Sequence, residues 1–173
     1  MKRILPLVGI AVLAGCQMMP SGSGSNQARA TLDAKSGSSV AGQVNFQESK
    51  DTLHATARFT GLKPNSEHGF HIHEKGDCSA ADATSAGGHF NPDGQAHGHY
   101  AQAKRHAGDL PNLVANEKGE ASASFDVTGL RLDEGKHGIL NRAVVVHAGP
   151  DDYKSQPAGN SGGRIACGVI RKK

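Results

Sequence analysis

Val40-Ala41-Gly42-Gln43-Val44-Asn45-Phe46-Gln47 alternates between two sets of residues. Val40, Gly42, Val44 and Phe46 fall on one face of an extended chain, and Ala41, Gln43, Asn45 and Gln47 on the other. That period of two is the mark of a strand with one buried face. The reading extends outward to residues 28–35 on one side. On the other side it covers residues 53–59, 68–74, 113–115, 120–127, 142–147 and 164–170. Short alternating runs divided by Gly, Ser or charged turns read as strands, and Asn116-Glu117-Lys118-Gly119 as a hairpin turn. No segment carries a helical stripe. Residues 75–109 and 148–163 are too long and polar to be strands, and loops of that length inside a domain are usually functional. The expected fold is all-β, a Greek-key β-barrel or sandwich of about eight antiparallel strands with two long functional loops.

The amino terminus stands apart. Met1-Lys2-Arg3 is a short basic start, residues 4–14 are apolar with interruptions at Pro6 and Gly9, and Leu13-Ala14-Gly15-Cys16 puts a cysteine after small residues. This layout is a signal peptide over residues 1–15. It is too short to span a bilayer, which takes about 20 apolar residues. It also resembles a bacterial lipobox, which implies lipid on Cys16 and a membrane as partner. A signal peptide cut elsewhere or a short membrane anchor are the alternatives. Residues 16–27 read as a flexible tether and residues 28–173 as one domain. The expected location is the bacterial cell envelope, facing the periplasm or on the outer membrane.

Lys2 and Arg3 supply two of the formal net charges of +3, so the mature chain carries only +1. Such a chain has no nucleic-acid footprint and no polybasic membrane surface. The three cysteines make an odd count, which in an exported protein calls for an explanation. With Cys16 given to lipid, Cys78 and Cys167 remain, and an oxidising compartment permits a disulfide between them. Two free buried thiols are the alternative.

Ten histidines in 173 residues is a heavy load. His71, His73, His89, His97, His106, Asp109 and His147 form a narrow series of residues whose nitrogen and oxygen atoms are usual zinc and copper ligands. That is more than one four-coordinate ion needs, so two ions sharing one ligand is the economical arrangement. His71 and His73 are two apart in an expected strand, so their rings share a face while Phe70 and Ile72 turn to the core. His89 lies in Gly87-Gly88-His89-Phe90-Asn91-Pro92, where glycine permits close backbone approach. His89, His97, His106 and Asp109 make a closed tetrahedral zinc set, and an ion there would organise a loop poor in apolar side chains. A solvated histidine-rich loop with adventitious metal is the alternative.

These segments resemble the copper/zinc superoxide dismutase family. The resemblance runs through His68-Gly69-Phe70-His71-Ile72-His73-Glu74, Gly76-Asp77-Cys78, Gly88-His89-Phe90-Asn91-Pro92, His106-Ala107-Gly108-Asp109-Leu110 and Val144-Val145-Val146-His147. It closes with Gly159-Asn160-Ser161-Gly162-Gly163-Arg164-Ile165-Ala166-Cys167-Gly168-Val169-Ile170, in the family's order and near its spacing. The resemblance implies a flattened Greek-key barrel with one copper and one zinc ion per subunit. Copper would be held by His71, His73, His89 and His147, and zinc by His89, His97, His106 and Asp109, with His89 as the bridge.

Asp151, four residues after His147, would link ligands of the two metals, with Asp152 adjacent. Arg164 would guide the anion to the open copper position, where without the family it reads as a surface ion pair. The implied activity is conversion of superoxide to dioxygen and hydrogen peroxide by alternate reduction and reoxidation of copper, with His89 carrying a proton, as protection for the cell envelope. A metal-storing or metal-delivering module and an adhesive surface lipoprotein are the rival classes. Non-catalytic relatives lose copper ligands or the guiding arginine, and this chain keeps them. Among the other histidines, His68 is expected to bond to the backbone, and spacing favours His97 over His99. His54 and His137 have no expected ligand role. Barrel edges give no clear interface signal, so monomer and homodimer both stay open.

Overall fold

Alternating burial builds the first three strands. β1 (Gln27–Ala34) buries Ala28, Ala30 and Leu32, β2 (Ala41–Ser49) buries Val44 and Phe46, and β3 (Thr52–Thr60) buries Leu53, Ala55, Ala57 and Phe59. They pair antiparallel in sequence order, with Val44 in register between Ala30 and Ala57. Every second residue therefore adds to one apolar face, and its neighbours to a polar one. The structure, a computed structural model, describes residues 26–50 and 52–173. The expectations for the leader, for lipid on Cys16 and for most of the tether lie outside the described residues.

The later strands are β4 (Glu67–His68), β5 (Phe70–His73), β6 (Leu113–Val114), β7 (Ala121–Thr128), β8 (Ala143–His147), β9 (Arg164–Val169) and β10 (Arg171–Lys172). One antiparallel sheet runs β5-β8-β9-β1-β2-β3-β7, with β10 also on β1, while β4 and β6 form a separate pair. The sheet curls on itself. Phe70 of β5 and Phe125 of β7, from opposite ends of that order, meet edge-to-face with ring centroids 6.2 Å apart. Phe70 also meets Phe59 of β3 at 5.8 Å, so aromatic burial closes the barrel where no backbone ladder does. The chain crosses from one side to the other between β3 and β5 and again between β7 and β8, which are Greek-key connections.

The expected single strand over residues 68–74 is two pieces. His68 pairs with Leu113, whereas Phe70–His73 pairs with β8. Gly69 makes the break: its N–H donates to the Gly149 carbonyl at 2.7 Å and its carbonyl accepts from the His147 N–H at 2.8 Å. A Cβ there would stand 2.6 Å from Ser161 Cβ, closer than van der Waals contact allows. Besides the two long loops there is a third connection, residues 129–142, whose Leu130, Leu132 and Ile139 are buried in the barrel core.

A disulfide joins Cys78, in the first long loop, to Cys167 of β9 across 89 residues of sequence. Around it pack Ala83, Ala86, Ala143 and Val145, a small apolar cluster distinct from the barrel core. The loop that carries most of the histidines is thereby fastened to a central strand.

Candidate metal centre

The site is assembled on the rim of β5. His71 and His73 lie opposite Val145 and Ala143 of β8, whose last residue is His147. A register shift between Val146 and His147 sets His147 opposite Arg164. The first long loop then laces onto β5 by its backbone. Phe90 N–H donates to Ile72 O at 2.8 Å, Ile72 N–H to Gly108 O at 2.9 Å, and Gly108 N–H to Phe90 O at 2.9 Å. Gly108 is required there, since a Cβ would sit 2.2 Å from the Ile72 carbonyl oxygen. His89 and Asp109, one residue from these contacts, are carried to the histidines of the strand.

Two groups of ligand atoms result, His71, His73, His89 and His147, and His89, His97, His106 and Asp109, each with its atoms within 4.8 Å of one another and every residue buried. In the first group the outer ring nitrogens are tied back. His73 Nδ1–H donates to Gly87 O at 2.9 Å, His147 Nδ1–H to Gly162 O at 3.1 Å and His71 Nε2–H to Asp151 Oδ2 at 2.8 Å. Such bonds fix the tautomer and leave the opposite nitrogen free for a metal. His73 Nε2 and His147 Nε2 stand 3.4 Å apart. His71 Nδ1 and His89 Nε2 are buried with no hydrogen-bond partner, at a cost of about 1–3 kcal/mol each. An ion among these four nitrogens would supply the missing partner. The site fits a metal.

In the second group, Nδ1 of His89, His97 and His106 converge on Asp109 Oδ1 at 2.9, 3.1 and 3.4 Å. Asp109 Oδ2 accepts the N–H groups of Gly98 at 3.2 Å and His106 at 3.0 Å. Three imidazole nitrogens and one carboxylate oxygen around one point are the donor set of a closed zinc site. His89 belongs to both groups, through Nε2 to the first and Nδ1 to the second. Asp151 spans them from outside: Oδ2 takes the His71 ring and Oδ1 accepts His97 Nε2–H at 2.9 Å.

Burial and pairing set the charges. Burial lowers His71 and, further, His73. It also brings His89 to about 4, against the raising bond to Asp109, and His147 to about 3, with the neighbouring His71 adding to the fall. These rings are neutral at pH 7, as ligands must be. Burial works to lower His97 too, but its bonds to Asp109 and Asp151 prevail and raise it to about 9. Burial would raise both aspartates. Histidine hydrogen bonds outweigh it and hold Asp109 and Asp151 well below the usual carboxylate range.

His73, His89, His147 and Arg164 line a cleft of about 470 Å³ together with Glu74 and Ala158. Arg164 Nη1–H donates to Ala83 O and Nη2–H to Gly87 O, each at 2.7 Å. The remaining histidines lie elsewhere. His68 Nδ1–H donates to His147 O at 2.8 Å, and the His99 ring stacks on Tyr100 at 4.4 Å and meets Tyr153 at a tilt at 4.5 Å. Nothing in the sequence pattern pointed to Gln156 or Asn112. Gln156 brackets the His97 peptide, accepting its N–H and donating to its carbonyl, both at 2.9 Å. Asn112 does the same for Asp151 at 3.0 Å.

The family profile of copper/zinc superoxide dismutase (SODC) matches residues 40–170. The chain is 41% identical over 165 residues to a protein named superoxide dismutase [Cu-Zn] 2 from Aquifex aeolicus, covering 92% of this chain and 96% of that one. It is 44% identical over 137 residues to superoxide dismutase [Cu-Zn] of Paramecium bursaria Chlorella virus 1, covering 76% and 72%. Among solved structures it is similar to that described as the clock protein EA4. The TM-score is 0.79 at 38% identity, over 90% of this chain and all (100%) of the other.

Proposed function

This chain belongs to the copper/zinc superoxide dismutase family, and from that premise we propose that its cleft converts two superoxide anions and two protons to dioxygen and hydrogen peroxide by alternate reduction and reoxidation of copper. It is an oxidoreductase acting on superoxide, with one copper and one zinc ion per subunit. His71, His73, His89 and His147 would hold copper, and His89, His97, His106 and Asp109 zinc. When bound, copper supplies a one-electron couple and zinc a fixed, redox-inert charge. The observation that carries the reading is His89 between the two groups, its buried Nε2 unpartnered and its Nδ1 on Asp109.

The protein's own groups do the rest. Arg164 keeps its charge at physiological pH and, with both arms of its fork held, offers a fixed cation to a small anion in the cleft. Local positive charge of this kind raises anion arrival by roughly 10 to 1,000-fold, a range in which superoxide dismutase is itself a known example. His89 holds a proton at Nε2 in one half of the cycle and passes it to the reduced anion, while water supplies the second proton. Asp151 keeps the His71 and His97 rings in their tautomers.

Catalysis by the metal-reconstituted chain tests this. Superoxide decay should return to background in His147→Ala. In Arg164→Ala it should slow mainly at low ionic strength, where steering is strongest. Decay no faster than that given by the free metals would leave a metal-storage module instead. The envelope location, with lipid on Cys16, rests on the leader pattern. Labelling by palmitate that is lost in Cys16→Ser would support the lipid, and an unlabelled wild-type chain would rule the lipid out and leave an ordinary cleaved signal peptide.

A further inference from the structure

Remote from the ligand clusters, the outward face of β3 and β7 holds a second constellation. His54 lies directly across from Asp126, and Thr56 across from Ser124. His54 Nδ1–H donates to Asp126 Oδ1 at 2.7 Å, and Ser124 Oγ–H donates to His54 Nε2 at 3.1 Å. A carboxylate can only accept, so it fixes Nδ1 as the protonated nitrogen and leaves the Nε2 lone pair facing the hydroxyl. As a stabilising cross-strand pair, His54 and Asp126 need no serine on the far nitrogen. Acid, imidazole and hydroxyl in line through opposite ring nitrogens is the order that activates a nucleophile. Asp126 also lines a groove of about 940 Å³ with Tyr100, Lys104, Arg105 and His137, whereas Ser124 and His54 stand outside it on the open face of the sheet.

We propose that Ser124, His54 and Asp126 form a metal-independent acyl-transfer site for activated carboxylic esters. Ser124 Oγ attacks the acyl carbon and its proton passes to His54 Nε2. The bond to the leaving oxygen breaks, and that oxygen takes the proton from His54. Water then attacks the acyl-serine, returns a proton to Ser124 through His54, and releases the carboxylic acid. The Thr56 hydroxyl, on the residue directly opposite Ser124, is the proposed donor to the acyl oxygen. A single hydroxyl donor is weaker than the set of backbone N–H groups that builds a strong oxyanion hole. The substrates are therefore esters with acidic leaving groups, such as nitrophenyl esters, and turnover is slow.

Incubating the full metal-loaded chain with p-nitrophenyl acetate and reading acetylation by peptide mass spectrometry tests the proposal. Ser124 should be the preferred acetylated serine. His54→Gln, which keeps the size but not the base, should slow that label by at least about tenfold. Ser124→Ala should remove it and lower nitrophenolate release. Both variants should keep the wild-type circular dichroism and superoxide dismutation, since neither residue touches the ligand clusters. Acetylation confined to lysines, or an equal rate at Ser124 in His54→Gln, would overturn the assignment.

Discussion

Arg164 and His73 share one acceptor: the Gly87 carbonyl oxygen takes Arg164 Nη2–H at 2.7 Å and His73 Nδ1–H at 2.9 Å. One peptide group thus sets both the charge at the cleft wall and the tautomer of a ring that lines it. The second arm of Arg164 on Ala83 O fixes the guanidinium in its plane.

Arg164→Lys separates charge from geometry. An ammonium keeps the positive charge but cannot reach two carbonyls as a planar fork. Turnover should fall by about tenfold while its dependence on ionic strength persists. Arg164→Ala should flatten that dependence. Superoxide decay across a salt series distinguishes them, and a lysine variant at wild-type rate would show that charge alone suffices.

The disulfide controls the same geometry at longer range. Cys167 is three residues from Arg164 on β9, and Cys78 opens the segment whose Ala83 and Gly87 carbonyls hold the guanidinium. Lys35 adds a bond to the Cys78 carbonyl. Closing a loop of this size is worth about 4–5 kcal/mol at best in the chain-entropy account. Cys78→Ser should lower Tm by on the order of 10 °C, weaken zinc retention and reduce turnover. Unchanged metal content and rate would limit the disulfide to global stability.

Much of this architecture is written in side-chain pattern. Alternation in residues 40–47 identifies a half-buried strand because burial acts on every second residue, and Phe46 and Val44 are buried as it requires. The spacing of His71 and His73 follows from the same period. Other features leave no such trace. Gly69 divides a strand through contacts with Gly149, His147 and Ser161, all more than 75 residues away in the sequence. Ala83 and Gly87 hold Arg164 through carbonyl oxygens that every residue possesses. Residues 129–142 hide a structural loop behind the charged run Asp133-Glu134-Gly135-Lys136, although Leu130 and Ile139 anchor it in the core.

Asp151 gives one oxygen to each group of ligands, and an amide cannot do that. In Asp151→Asn one ring keeps an acceptor while the other ring N–H faces an amide N–H. The Asn112 bonds to the Asp151 backbone survive the change, so the fold should persist. Zinc retention should fall by about 10 to 100-fold, the usual loss when a partner behind a metal ligand is removed. Gly159→Ala should do the same by a different route. Its Cβ would fall 1.7 Å from Asp151 Oδ1 and 2.8 Å from His97 Nε2, at a φ of +65° that favours glycine. Competition with a chelator measures both, and wild-type retention in either variant would count against the bridging role.

The metal-free chain should have its stability maximum near neutral pH, because its histidines pull in opposite directions. Burial holds His89 at about 4 and His147 at about 3, below the ordinary histidine value of about 6.5. As pH falls below about 6.5 the unfolded chain binds protons there that the native chain refuses, so stability is lost toward pH 4. His97, raised to about 9 by Asp109 and Asp151 over the opposing effect of burial, contributes in the reverse sense. Its stabilisation is full below about pH 6.5 and disappears as pH rises through about 9. Zinc at His97 Nδ1 would replace that proton, so the loaded chain should not share the alkaline decline. Urea midpoints from about pH 4 to 10, with and without zinc, check both slopes. A metal-free midpoint that stays level between about pH 6.5 and 9.5 would mean that His97 does not hold a proton between the two carboxylates.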